Sequence, residues 1–132
     1  MSILSPQSSF LPNIACGIAV IPLGAGILGL IRGRHLLPLV NFPLGSTPEA
    51  QKADDSLTRL FAVRNVVIAS LMFSIRYRGD RQLLGAATII MSMTALVDGL
   101  VSLDWIGGGT LNHLPFVPFA IAVGSGLLGW LG

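Results

Sequence analysis

Four stretches of the chain are apolar over lengths that match the thickness of a membrane. A bilayer core takes about 20 helical residues, with a tolerated range of roughly 17 to 25. The stretches cover residues 12–31, 57–75, 83–103 and 115–131. Because the lipid interior offers no hydrogen-bond partner to backbone amides, each stretch must form a helix. The sequence therefore predicts an all-α fold, a bundle of four transmembrane helices.

The composition agrees with this class of protein. Charged residues make up 11% of the chain, against roughly 25% in soluble domains, and the mean hydropathy is +0.77. The helices use nearly all of residues 1–132, so we predict a single integral membrane domain, multi-pass and located in an endomembrane. The eight Lys and Arg residues are scattered beside the apolar stretches, which argues against nucleic-acid binding. The lone Cys16 excludes an internal disulfide.

The links between the stretches predict how the helices are connected. Gly79 suits the end of the second helix, and Asp80 suits the N-cap of the third, so these two helices are expected to form a tight antiparallel hairpin. The link 32–56 is longer. Its first half is too apolar for a solvated loop, and we expect it to lie on the bilayer surface or to fold over the bundle. Its second half contains Ser46–Glu49, a helix-start pattern with Pro in the first turn.

We call side A the membrane face that holds the links after the first and third helices, and side B the opposite face. Trp105 falls on side A, whereas Tyr77 and Trp130 fall on side B, as interfacial aromatic anchors do. Basic residues flank the helices in equal number on the two sides. The positive-inside rule therefore leaves the orientation open.

Asp98 lies inside the third apolar stretch, where an ionised carboxylate needs a partner. Arg64 lies about seven residues into the second helix, roughly 10 Å below its start on side A. Asp98 lies five residues before the third helix ends on side A, and His113 opens the fourth helix on that side. We therefore expect the three side chains to meet in one membrane half. An ionisable residue inside a membrane segment is a hypothesis for a functional site by default.

Two interpretations of this cluster stay open. Arg64 and Asp98 can simply neutralise each other and fix the register of the bundle, since a lone charge at a helix centre costs about 2.5 to 3.5 kcal/mol. A purely structural pair would, however, often be as stable if packed apolar residues replaced it. The presence of the Arg64–Asp98 pair therefore favours a catalytic role.

Several short segments resemble a known group of proteins. These are Arg59–Asn65, Gly79–Gly85, Val97–Gly99 and Asn112–Leu114. They resemble the small four-helix membrane proteins of the DoxX-like group, particularly an uncharacterised fungal branch, over most of the chain from the first helix onward. Members of that branch occur among secondary-metabolite pathway proteins. The resemblance implies a lipophilic polyketide or terpenoid substrate.

The residues themselves lead to a mechanistic hypothesis. Asp98, oriented by Arg64, acts as general base toward water or a substrate hydroxyl, and His113 acts as the acid, since imidazole exchanges protons near neutral pH. Epoxide hydrolysis or cyclisation suits this set, and isomerisation by proton shuttling suits it nearly as well. Roles in orienting substrate or water are assigned to Asn65, Thr94 and Arg59. For Asn65 and Thr94, ordinary hydrogen bonding between helices is the alternative. No metal-ligand set or dinucleotide fingerprint is visible, so we predict no cofactor and no metal.

A non-catalytic function is the competing hypothesis. The chain has sixteen glycines, and several lie inside the first and fourth apolar stretches, where small residues allow helices to approach closely. Such faces suit a membrane scaffold, a homo-oligomer through helices one and four, or a small carrier for a lipophilic metabolite. The expected partners are a lipophilic small molecule and membrane lipid.

Overall fold

The computed structural model describes residues 8–110 and 113–131, and within these ranges all regular structure is helical. The α-helices are α1 (Phe10–Arg32), α2 (Pro48–Arg78), α3 (Arg81–Ile106) and α4 (Phe116–Leu128). A 3-10 helix over Gly33–Val40 follows α1 directly. The predicted all-α, four-helix fold is confirmed.

Three segments are long and apolar enough to cross a membrane. They are Phe10–Val40, Pro48–Arg78 and Arg81–Ile106, and they make the chain a membrane protein. The fourth helix is shorter than the predicted stretch 115–131, because α4 has 13 residues. At 1.5 Å per residue it is about 20 Å long, whereas a bilayer core is about 30 Å thick.

Local side-chain chemistry sets the ends of α2 and α3 as predicted. The hydroxyl of Thr47 accepts a hydrogen bond from the amide of Ala50 at 3.2 Å, and Pro48 occupies the first turn of α2. Gly79 ends α2 with φ of 75°, a left-handed conformation that glycine adopts without strain. The carboxylate of Asp80 then accepts from the amide of Leu83 at 2.9 Å and begins α3.

The link between α1 and α2 folds over the bundle, which was one of its two expected positions. The 3-10 helix packs against α2 and α1, and its Leu36 is buried. The carboxylate of Asp55 on α2 accepts a hydrogen bond from the amide of Arg34 at 3.1 Å. The carboxylate of Asp54 accepts from the amide of Gly45 at 2.7 Å. These contacts fasten the link to the side-A end of α2.

Close packing occurs within two helix pairs, α1 with α2 and α3 with α4. Small residues line both seams: a Cβ added at Gly26 would lie 2.7 Å from the backbone oxygen of Ala62, and one added at Gly85 would lie 2.8 Å from the backbone oxygen of Gly124. The buried apolar core lies mainly toward side B, where residues of all four helices meet. Contacts between α2 and α3 are sparse by comparison.

The expectation of a tight α2–α3 hairpin is therefore wrong in one respect. The two-residue turn is present, but the helices it joins diverge. The facing surfaces carry Leu71, Ile68 and Ile90 rather than glycines, and branched side chains hold backbones apart where glycines let them touch. The divergence leaves an open apolar cleft between α2 and α3.

We expect Gly85→Ala to lower the thermal unfolding midpoint in detergent micelles, followed by circular dichroism. Its Cβ would meet backbone and side-chain atoms of α4 at 2.8 to 2.9 Å, and such overpacking costs about 1 to 3 kcal/mol. Gly17→Ala is the matched control, because nothing lies within 4 Å of a Cβ there. Equal midpoints for the two variants would contradict the close α3–α4 seam.

Candidate functional site

Arg64 and Asp98 form an ion pair between α2 and α3. Nη2 of Arg64 donates to both carboxylate oxygens of Asp98, at 2.9 Å to Oδ1 and 2.8 Å to Oδ2. The two side chains are 36% and 20% exposed, so the pair lies at the edge of the bundle and not in its core. The predicted meeting of these two residues is observed.

The guanidinium of Arg64 has a second neighbour and an unused donor. Its carbon lies 4.8 Å from the centroid of the Phe61 ring, a distance at which a cation is attracted to an aromatic face. Nε of Arg64 is buried and has no hydrogen-bond partner within the described ranges. A buried donor without a partner is costly, so the Arg64 side chain is held here at some expense in stability.

The cleft between α2 and α3 begins one helical turn from the ion pair. Its volume is about 280 Å³, close to the lower end of the roughly 300 to 1,000 Å³ typical of small-molecule sites. Arg64 precedes the lining residue Ile68 by four positions, and Asp98 follows the lining residue Thr94 by four. Residues four apart lie on one face of a helix. The ion pair therefore lies one helical turn beyond the end of the cleft that is nearer to side A.

The lining of the cleft is apolar apart from Thr94, whose hydroxyl donates to the backbone oxygen of Met91 at 2.7 Å. Thr94 thus lies between the ion pair and the cleft, but its proton is engaged by its own helix. The apolar lining residues are Ile68, Leu71, Met72, Ile75, Leu83, Ala86, Ala87, Ile90 and Met91. The cleft suits an apolar body with its polar group at the ion-pair end.

Asn65 follows Arg64 but faces a different neighbour. It is 5% exposed and lies on the same face as Ala62 and Ala69, the face that packs against α1. Its side chain makes no hydrogen bond to another described residue. The structure places Asn65 behind the ion pair, whereas the cleft lies on the stripe of α2 that carries Arg64 and Ile68.

His113 lies beside α3 close to Asp98 but does not pair with it. A Cβ added at Gly99 would lie 3.3 Å from Cβ of His113, so the histidine backbone is next to the residue that follows Asp98. No His113–Asp98 ion pair within 4.0 Å is formed among the described residues. Asn112, the preceding residue of the resemblance segment, lies outside the described residues.

Arg59 is engaged elsewhere. Its Nε pairs with Asp55 at 2.8 Å, and its Nη1 donates to the backbone oxygen of Leu30 at 3.1 Å. These contacts join α2 to the end of α1, so the structure does not bring Arg59 to Arg64 and Asp98. A partner four residues away on the same helix could have been found from the sequence.

Sequence reasoning missed two parts of the site. Phe61 lies three residues before Arg64, a spacing that puts both on one helix face, so this contact carried a detectable signal. The cleft carried none, because it depends on how far α2 and α3 diverge. Within residues 8–110 and 113–131, no group of three His, Cys, Asp or Glu side chains could hold a metal ion.

The site and fold define a small helical membrane protein with an ion pair at the end of an apolar cleft. Comparison with protein families assigns it more narrowly. Residues 19–127 match the model of the domain of unknown function DUF4267. Since the match covers most of the chain and includes both Arg64 and Asp98, the protein belongs to this family. Comparisons with curated proteins and with solved structures gave no match.

We expect Arg64→Leu to lower the amount of monodisperse protein recovered from membranes, measured by fluorescence-detected gel filtration. The substitution leaves the Asp98 carboxylate without its cation, and a lone acid in a membrane helix costs about 2.5 to 3.5 kcal/mol. The double variant Arg64→Leu/Asp98→Leu should recover most of the loss, because it removes both charges. No recovery in the double variant would show that the pair is not the source of the effect.

Proposed function

We propose that this protein is a small membrane enzyme that performs acid/base chemistry on a lipophilic substrate. Epoxide hydrolysis or cyclisation and isomerisation are the reactions that suit it, and a polyketide or terpenoid intermediate of secondary metabolism is the substrate class. The single observation that carries the proposal is a carboxylate, held by Arg64 at 2.8 and 2.9 Å, at the end of an apolar cleft.

The carboxylate of Asp98 has capacity left for a reaction. Each of its oxygens accepts one hydrogen bond from Nη2 of Arg64, and a carboxylate oxygen has two acceptor positions. The backbone oxygen of Asp98, by contrast, accepts from the hydroxyl of Ser102 at 2.9 Å, which secures the helix at this point. A fixed carboxylate with free lone pairs is what a general base requires.

Epoxide opening can be written with the groups present. Water attacks an epoxide carbon while Asp98 takes one of its protons, the carbon–oxygen bond breaks, and the epoxide oxygen leaves as an alkoxide. Nη1 of Arg64, which makes no hydrogen bond with a described residue, stabilises the developing negative charge by a hydrogen bond. The alkoxide then takes a proton from His113, which acts as the acid. Asp98 gives its proton to solvent and His113 regains one from solvent, so both groups are restored and the net change is addition of one water. A hydroxyl of the substrate in place of water gives the cyclised product.

Isomerisation uses the same groups without water. Asp98 removes a proton from the carbon next to a carbonyl, Arg64 stabilises the enolate oxygen, and the proton returns to a different carbon of the same substrate. Because the proton is conserved, this version needs no second acid. His113 is therefore essential only for the hydrolytic version, which separates the two reactions experimentally.

We also propose a pathway and a membrane location for the protein. The likeness to DoxX-like proteins of the fungal branch supports a place in secondary metabolism, and we propose a multi-pass location in an endomembrane. Three candidate spans support the multi-pass arrangement. Of the three predicted orienting residues, Asn65, Thr94 and Arg59, we keep this role for Thr94, because Asn65 faces α1 and Arg59 is bound to Asp55 and Leu30. Thr94, which lines the cleft, has the strongest support of the three.

The test is conversion of an epoxide-bearing polyketide precursor by microsomes that contain the protein. We expect Asp98→Asn to abolish conversion, because the amide cannot accept the proton, with a loss of at least about 10²-fold. Asp104→Asn is the matched control, since Asp104 lies on the same helix, is exposed, and pairs with no described residue. Protein amounts are equalised by immunoblot.

Two results would contradict the proposal. Conversion unchanged in Asp98→Asn removes the carboxylate from the mechanism, and no conversion by the wild-type protein of any epoxide or enone tested removes the enzyme class. A loss of turnover in His113→Gln favours hydrolysis, whereas full turnover in that variant favours isomerisation.

One observation favours a scaffold or carrier as a second candidate. Gly17 and Gly24 lie exposed on α1, seven residues apart, with nothing within 4 Å of an added Cβ. They form a small-residue face that the chain's own helices leave open, whereas Gly26, Gly29 and Gly124 are used inside the bundle. If this function holds, Gly17→Ile/Gly24→Ile should abolish co-purification of a partner and leave the folded monomer intact.

A further inference from the structure

The net charge of the protein is located at one end of the bundle. At side A, four basic residues (Arg32, Arg34, Lys52, Arg59) are balanced by four acidic residues (Glu49, Asp54, Asp55, Asp104). Arg64 and Asp98 balance each other. The formal net charge of +2 therefore resides at side B, where Arg76, Arg78 and Arg81 face only Asp80 among the described residues. Side B is the end that attracts an anion.

Arg78 is the cation of side B that stands in line with the cleft. On α2, Arg64, Ile68, Leu71, Ile75 and Arg78 follow one another at spacings of four, three, four and three residues, which places them on a single stripe of the helix. Ile68, Leu71 and Ile75 all line the cleft. Arginine thus stands at both ends of this apolar stripe.

The two arginines differ in what they bind. Arg64 is held by Asp98, whereas Arg78 is exposed and forms no ion pair or hydrogen bond with any residue of the described ranges. The other arginines of this end are engaged: Arg76 donates to Asn13 at 3.1 Å, and Arg81 donates to the backbone oxygen of Ser8 at 2.7 Å. Arg78 is the guanidinium available to a ligand at the side-B end of the cleft.

The shape of the cleft limits the ligand that fits it. From Ile75 and Leu83 at side B it extends to Ile68 and Thr94, which is about 10 Å along α2. Arg78 and Arg64 are fourteen positions apart, or about 21 Å of helix. A space of about 280 Å³ that extends about 10 Å along α2 has the volume for a single alkyl chain rather than for a large polycyclic body.

We propose that the cleft binds a long-chain carboxylic acid, with its carboxylate on Arg78 at side B and its chain directed toward Asp98. Arginine pairs with a carboxylate through parallel N–H donors, and the apolar lining takes the chain. The inference rests on the proposed function in one respect: this acid is the substrate, and the group that reacts lies on its chain some distance from the carboxylate. Binding itself needs no reaction.

The test is photoaffinity labelling of the full chain in nanodiscs by a hexadecanoic acid that carries a diazirine on its chain, with labelled peptides identified by mass spectrometry. We expect labels on α2 and α3 residues that line the cleft. Labelling should weaken at least roughly tenfold in Arg78→Gln, which loses the charge-assisted hydrogen bonds to the carboxylate, and Arg78→Lys, which keeps the charge, should retain more of it than Arg78→Gln. The matched control Arg32→Gln, at the other membrane face, should be unchanged.

A second pair of variants tests the cleft itself. Ala86→Leu adds volume to the lining and should reduce labelling by hexadecanoic acid, whereas Ala122→Leu adds the same volume at an exposed position of α4 and should not. Labelling that is equal in Arg78→Gln and wild type, or equal for the acid and the corresponding alcohol, overturns the proposal. So does displacement of the probe by phosphatidic acid but not by unlabelled hexadecanoic acid, which would make the cleft a phospholipid site.

Asp98→Asn separates this inference from the proposed function. Asparagine has the shape of aspartate and its amide oxygen still accepts from Arg64, so the contact between α2 and α3 remains and labelling should persist while conversion is lost. If labelling persists but no form of the protein converts an epoxide or enone, the proposed enzymatic function is wrong and the proposed binding site is supported. If labelling is absent but the protein converts an uncharged epoxide, the proposed binding of a long-chain acid is wrong and the enzymatic function is supported.

Discussion

The attraction between Arg64 and Asp98 joins two helices that otherwise have little contact. α2 and α3 are connected by two residues at side B and by this ion pair farther along, and branched apolar side chains hold them apart between these points. Hydrophobic burial cannot close such a gap in a bilayer, because lipid chains are as apolar as the side chains that face it. The ion pair therefore fixes the distance between α2 and α3 one helical turn beyond the cleft, and the cleft lies between this fixed point and the turn at side B.

The α1–α2 and α3–α4 seams are closely packed, in contrast to the boundary between α2 and α3. Glycine and alanine let α1 approach α2, and α3 approach α4, until backbone atoms of one helix are within contact of the other. Packing of this kind is rigid, so the cleft lies between two stiff helix pairs. Rigid elements are the usual supports of a functional site, since a carboxylate must be held in place to act on a bound molecule. The bundle thus places a sparsely packed boundary next to the ion pair of Arg64 and Asp98.

Much of this arrangement follows from local chemistry and from the fixed rise of a helix. Thr47, Gly79 and Asp80 mark helix ends because capping depends on a few neighbouring residues. The meeting of Arg64 with Asp98 follows from counting residues from the membrane surface. The divergence of α2 from α3 could not be predicted from local chemistry, because it depends on how each helix is rotated when its small residues pack against the neighbouring helix. The position of His113 depends on the path of the preceding link, which the sequence does not determine. For Arg59, the sequence offered Asp55 on the same helix as a partner as well as the charged residues of other helices, and the structure shows the pair with Asp55.

The shortness of α4 has a consequence for the lipid around it. A helix of 13 residues that crosses a bilayer draws the headgroups on its two sides closer together than the bilayer prefers, and the lipid beside it thins to cover its ends. This hydrophobic mismatch costs a fraction of a kcal/mol for each Å. The cost is smaller where the lipid is thinner. The stability of the whole bundle therefore depends on the thickness of the lipid beside its shortest α-helix.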